Sequence, residues 1–173
     1  VGSKVIENLV ALGCKKIYYY DKSVRLENNY KDFVKYTNRE ELYRKADIIS
    51  LHIPLDIETK NMITIKEIEL MKKDSFLINT ARGGIINESD LFKALESKMI
   101  AGAAIDVFEL EPYNGELAKL NNCILTGHMG SMSIDCRTQM EIEATEEVVR
   151  FLNGKTLKGA VPEEEYEVQR KGL

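Results

Sequence analysis

The run Ser75-Phe76-Leu77-Ile78-Asn79-Thr80-Ala81-Arg82-Gly83-Gly84 decides the fold. Its first half is continuously apolar and too short for a helix, and its second half is polar, cationic and glycine-rich. A buried strand that stops abruptly in a turn reads this way. The same grammar recurs on both sides. Upstream lie Asp47-Ile48-Ile49-Ser50-Leu51 and Lys16-Ile17-Tyr18-Tyr19-Tyr20, the latter ended by Asp21. Downstream lie Ala101-Gly102-Ala103-Ala104-Ile105 and Cys123-Ile124-Leu125. Runs this short and this apolar predict strands buried on both faces, as in a parallel sheet.

Between the runs stand helix signals. Gly2 to Leu12 places Val5, Leu9 and Leu12 on one stripe, and Gly13 is placed to stop that helix. Asn38 can cap Arg39–Lys45. Thr64 can cap Ile65–Met71, with Glu67 at the capping-box spacing. Asn87 or Ser89 starts a helix running to about Ser97, and Ser131 or Ser133 starts a long one ending near Asn153-Gly154. The segment Glu27–Tyr36 is ambiguous, with room for a short edge strand around Phe33–Tyr36, and the charged tail from Pro162, with Glu163–Glu165, reads as a loose, solvated end. Strands alternating with helices give βαβ units with right-handed crossovers, hence an α/β, doubly wound parallel sheet.

Composition narrows the function. The chain has 173 residues, 44% hydrophobic and 30% charged, which is enough to bury a core without disulfides or metal. A net charge of −4 sets nucleic-acid binding low. No apolar run approaches the roughly 20 residues of a membrane span, and Val1-Gly2-Ser3-Lys4 has no signal-peptide layout. The three cysteines are far apart and odd in number, which excludes a paired framework or CxxC metal knuckle and fits the reducing cytoplasm. Cys14 and Cys123 read as core, while Cys136 gives no signal.

In an open parallel sheet, ligands bind beyond the carboxyl ends of the strands. Those ends carry Asp21; then His52 and Pro54; then Thr80, Ala81, Arg82, Gly83 and Gly84; then Asp106, Glu109, Glu111 and Pro112; and last Thr126, Gly127, His128, Met129 and Gly130. Polar and glycine residues therefore gather at one edge of the sheet, once per strand.

These residues resemble the nucleotide-binding domain of the D-isomer-specific 2-hydroxyacid dehydrogenases, a Rossmann-type fold. The matching stretches are His52-Ile53-Pro54-Leu55 through Glu58-Thr59, Met71-Lys72-Lys73, Leu77 through Gly84, Ala101 through Phe108 leading into Glu111-Pro112, and Ile124-Leu125-Thr126-Gly127-His128. The similarity runs from Val1 to about Leu157. It implies NAD as cofactor and a small 2-hydroxy or 2-oxo acid as substrate. Arg82 would clamp the substrate carboxylate, since a guanidinium matches it in bidentate geometry. His128 would be the general acid–base. Glu111 would fix its tautomer and favour its protonated form. Asp106 would sit by the nicotinamide carboxamide. Asp21 would bind the adenine ribose hydroxyls and repel a 2′-phosphate, so NAD is preferred over NADP, although Arg25 stands close in sequence. Gly2, His52, Pro54, Thr80, Ala81, Arg82, His128 and Gly130 complete the cofactor-binding set, His52 through its backbone rather than its ring. Glu109 reads as solvated, and no metal site is expected. A homodimer is implied by the resemblance alone.

The sequence departs from the family's pattern in three ways. Relatives open with a strand and G-x-G-x-x-G; here the chain starts at Val1-Gly2, so Gly2 stands for the third glycine and the first strand is expected to be missing from mid-sheet. That would leave unpaired backbone on both neighbouring strands, so the chain reads as part of a longer protein. Residues 1–157 would then be the NAD-binding domain, incomplete at its N-terminus, and 158–173 a remnant of the return to an absent substrate domain. With one wall of the cleft absent, the chain by itself is expected to turn over weakly or not at all. Last, Gly127 precedes His128 where many relatives have Pro. Two rival readings stay open: a non-enzymatic NAD(H)-sensing, corepressor-like or scaffold protein of the same fold, and a truncated gene product without function.

Overall fold

The computed structural model describes residues 1–22 and 33–160. Arg25, most of the ambiguous segment before Phe33 and the tail from Pro162 lie outside the described residues. The elements are α1 (Gly2–Ala11), β1 (Ile17–Tyr19), β2 (Val34–Tyr36), α2 (Arg39–Lys45), β3 (Ile48–Leu51), α3 (Ile65–Ile68), β4 (Phe76–Asn79), α4 (Glu88–Glu96), β5 (Gly102–Ile105), β6 (Cys123–Leu125) and α5 (Ile134–Leu152). Every strand pair is parallel. The order of helices and strands is the one read from the sequence, with β5 running to β6 through a 3-10 turn rather than an α-helix.

The helix starts follow local chemistry. The Asn38 side chain accepts from Glu41 N–H, that of Asn87 from Asp90 N–H, and that of Ser133 from Cys136 N–H, each satisfying a donor that the first turn leaves open. Thr64 and Glu67 form the capping box of α3. Gly13 follows α1 at φ +87°, a conformation open to glycine at no steric cost.

Among the described residues the strands form two ladders, β1–β2 and β3–β4–β5–β6, with no hydrogen-bonded pairing between them. One core dominates: Ile49, Leu51, Leu77, Ala103 and Ile105 from the larger sheet pack with Tyr43, Ile68, Leu91, Ala94 and Leu95 from α2, α3 and α4. Burying each of its larger aliphatic side chains contributes about 1.5–3 kcal/mol.

Four expectations need correction. The larger sheet is not buried on both faces: α2, α3 and α4 cover one, while Ile48, Phe76 and Ile124 on the other are 62%, 48% and 69% exposed. A continuous apolar run cannot reveal whether its second face finds a partner, and neither α1 nor α5 buries a residue. Leu12 is exposed although it shares the stripe with half-buried Val5 and Leu9, because α1 ends before it. Cys14 is exposed for the same reason. Helix α3 stops at Ile68 rather than Met71, and a turn with Met71 N–H donating to Ile68 O closes it.

Candidate active site

The register of the larger sheet sets the site. Leu51, Asn79, Ile105 and Leu125 lie opposite one another in a single row. The chain therefore leaves four neighbouring strands side by side, about 4.8 Å apart, at His52, Thr80, Asp106 and Thr126. Asp21 follows β1 at the carboxyl end of the smaller ladder.

Beyond β4, buried Asn79 folds the chain back on itself. Its Nδ2 donates to Arg82 O at 2.9 Å, and its Oδ1 accepts from Ala81 N–H at 3.1 Å. Thr80 and Arg82 are exposed on the resulting turn and Ala81 packs against the core. Among the described residues, the Arg82 guanidinium donates only to its neighbour, Ala81 O, at 2.7 Å. Gly83 follows because nothing larger fits: a Cβ there would stand 2.0 Å from Phe108 O. The turn after β4 thus lies flat against the turn after β5. A short parallel pairing of Ile63 with Ile86 holds its far end.

Beyond β5 and β6 the loops are tied through Asp106, which is buried. Its carboxylate accepts from Thr126 Oγ1 at 2.5 Å and from Met129 N–H at 2.9 and 3.1 Å, while its backbone oxygen accepts from His128 N–H at 2.8 Å. Burial works to raise the Asp106 carboxyl, but the Thr126 hydroxyl, the Met129 and Gly130 N–H groups and nearby His128 outweigh it and hold it below the ordinary range. His128 itself sits at φ +56°, uncommon for a residue with a Cβ, and opens a 3-10 turn, Met129–Ser131. Its Nδ1 lies 3.0 Å from Glu111 Oε2, and Glu111 Oε1 accepts from Phe108 N–H at 3.0 Å. The hydrogen bond to His128, then that from Phe108, lowers the Glu111 carboxyl. A carboxylate can only accept, so Nδ1 carries the proton and Nε2 is the nitrogen left to exchange one.

The dinucleotide side is built from the other strand ends. Gly2 opens α1, and a Cβ there would stand 3.4 Å from His52 Cβ, so helix and strand end approach closely. His52 Nε2 lies 3.0 Å from Ser50 Oγ. Burial, with the Val1 amino group, lowers its pKa. Pro54 is exposed and its oxygen accepts from Thr59 Oγ1 at 2.7 Å. Lys22, next to Asp21, pairs with Glu58. Glu109 is exposed, as read from the sequence. Gly130 lies in the 3-10 turn, where a Cβ would meet no atom within 4 Å. Among the described residues no group of three or more His, Cys, Asp or Glu could hold a metal.

The structure brings Glu111, His128 and Asp106 together by direct hydrogen bonds and joins the Arg82 turn to them through Gly83. It also exposes two residues that the sequence reading missed or underused. Asn79 shapes the Arg82 turn, and the only signal for it is that it is the one polar residue of β4. Asp106 holds the His128 loop, which no spacing rule would have revealed.

A parallel α/β sheet whose carboxyl edge carries an acid, glycines and polar side chains has the layout of a dinucleotide-binding domain. The chain belongs to the D-isomer specific 2-hydroxyacid dehydrogenase family, whose NAD binding domain matches residues 1–130. It is 38% identical over 175 residues to a glyoxylate reductase of Aeropyrum pernix, covering 100% of this chain and 52% of that protein. Among solved structures, a glyoxylate reductase from Paecilomyes thermophila superimposes with a TM-score of 0.85 at 31% identity, over 94% of this chain and 49% of that one. A D-lactate dehydrogenase with NAD+ from Lactobacillus jensenii gives 0.80 at 30% identity, over 93% and 52%. The chain spans about half the length of the curated relatives it matches.

Proposed function

We propose that residues 1–157 are the NAD-binding unit of an enzyme that interconverts a small D-2-hydroxy acid and its 2-oxo acid. The observation that carries this reading is the Glu111–His128 pair, fixed at the same sheet edge as Arg82. When bound, NAD supplies or accepts the hydride. The residues fit a dinucleotide: Gly2 lets α1 approach the end of β3 closely, and Asp21 ends β1 where the adenosine ribose would lie. Asp21 favours NAD over NADP by charge, and Lys22, being paired with Glu58, does little to offset it. Pro54, Thr80, Ala81 and Gly130 line the same edge, with the backbone of His52, and Asp106 borders the place of the nicotinamide carboxamide.

His128 Nε2 delivers a proton to the substrate oxygen during reduction and removes it during oxidation, while Glu111 on Nδ1 keeps the ring in the tautomer that allows it. Arg82, bound among the described residues only to its neighbour's carbonyl, is available to take a carboxylate in two-pronged fashion. The substrate's far side is met by residues beyond this chain. A cytoplasmic setting is supported by the three free cysteines. A homodimer is the assembly proposed, on the strength of the family resemblance.

A thermal melt of the 173-residue chain with NADH tests the cofactor half. A ligand that binds only the folded state adds about 2.7 kcal/mol at a hundredfold excess over its dissociation constant. The expected result is a rise in melting temperature with NADH and little or none with NADPH. Loss of NADH absorbance on adding glyoxylate or pyruvate to the whole protein tests the chemistry. Stabilisation without turnover of any 2-oxo acid would move the protein to the nucleotide-sensing class.

A further inference from the structure

Glu88 is the first residue of α4, and nothing about that helix requires its carboxylate. Asn87 already caps the helix through Asp90 N–H, and Asp90 already supplies first-turn negative charge while accepting from Ile65 N–H at 3.1 Å. The Glu88 side chain turns away instead and accepts from Glu109 N–H at 2.8 Å. Phe108 N–H, the preceding amide, is the one that Glu111 Oε1 takes up at 3.0 Å. Two consecutive amides of the turn after β5 are therefore held by two carboxylates. One belongs to the turn itself and also holds His128; the other reaches in from a helix anchored by buried Leu91, Ala94 and Leu95. Around them, Phe108 stacks on Tyr113 at 4.1 Å and Gly83 lies too close to Phe108 O to admit a Cβ.

We propose that Glu88 is a positioning residue for the proton-transfer pair, holding the Phe108–Glu109 backbone so that Glu111 meets His128 Nδ1. The proposal rests on the reading of Glu111 and His128 given above. The carboxylate is kept there against a cost: burial, with the charge of Glu109 adding to it, pushes the Glu88 carboxyl up, and the Glu109 N–H offsets only part of this. A charge serving the helix terminus alone would be better left in water.

The test uses the 173-residue chain, which has only two histidines, labelled with 15N in their rings. The readout is the tautomer of neutral His128. Glu88→Asp keeps the charge at the start of α4 but is one methylene too short to reach Glu109 N–H. Glu88→Gln loses the charge but keeps an acceptor oxygen in reach. The expected pattern is Nδ1–H in the wild type and Glu88→Gln, and a shift toward Nε2–H in Glu88→Asp as large as that in Glu111→Gln. If Glu88→Asp keeps the wild-type tautomer while Glu111→Gln loses it, the proposal is wrong and the paired site stands. A drop in melting temperature in Glu88→Asp without a tautomer change gives Glu88 a structural role only and also overturns it. If the wild type and Glu111→Gln already share one pattern, Glu111 does not set the ring and the underlying reading falls as well.

Discussion

Asp106 shows how one buried side chain can govern the loop that carries His128. It binds Thr126 and Met129 on either side of His128, and the left-handed backbone at His128 is held in place by those bonds. Its carboxyl is lowered in the folded protein, so the unfolded chain, at about 3.9, binds its proton first as pH falls. The stability it contributes is full above that value and is lost as pH drops through the folded value. Asp106→Asn should therefore lower the melting temperature at pH 7, by an amount equivalent to about 2 kcal/mol for charge-assisted hydrogen bonds. The gap between variant and wild type should shrink as pH is taken below about 4. A gap independent of pH would mean that the carboxylate charge is not what holds the loop. At this scale the sequence was legible where chemistry fixes the residue type: an arginine, a histidine and its carboxylate partner stand out beside glycines and strand ends. It was mute on Asn79, Asp106 as loop holder and Glu88, because a side chain bonded to backbone amides is chosen by the path of the loop, and that path leaves no spacing in the sequence.

Elements were read more faithfully than their surroundings. The caps at Asn38, Thr64, Asn87 and Ser133 stand where capping chemistry puts them, because a cap is a contract between residues three or four apart. Whether a strand's second face is covered depends on the whole chain, and there the reading of β3, β4 and β6 failed. Helix α3 shows what a cap can do. Four residues cannot hold a helix by propensity alone, so Thr64, Glu67 and the Asp90 bond to Ile65 N–H keep it in place over buried Ile68. Thr64→Ala should cost about 1 kcal/mol and lower the melting temperature by roughly 2–4 °C for a domain of this size. Calorimetry of the variant beside Thr64→Ser, which retains the hydroxyl, checks this. Equal losses in the two would assign the effect to the lost methyl rather than to the cap.

For the whole molecule the division of the sheet is the governing fact. The main core draws on the chain from α2 to β6, and neither α1 nor β1 nor β2 supplies a buried residue to it. The smaller ladder is two strands of three residues, and two paired strands are marginal alone in water. Local opening should therefore free β1 and β2 well before the larger sheet opens. Amide hydrogen exchange should find β4 and β5 protected to the level of global unfolding and β1 exchanging orders of magnitude faster. Equal protection in both ladders would show that they open as one unit. The proposed cofactor site spans this division, since Asp21 rides on β1 while His52, Arg82 and His128 ride on the larger sheet. A dinucleotide bound across both adds its binding energy to the opening cost of β1, which is otherwise small. Saturating NADH should accordingly slow exchange in β1 by a larger factor than in β4. A slowing confined to the larger sheet would mean that the nucleotide does not reach Asp21, and the charge argument for NAD over NADP would lose its basis.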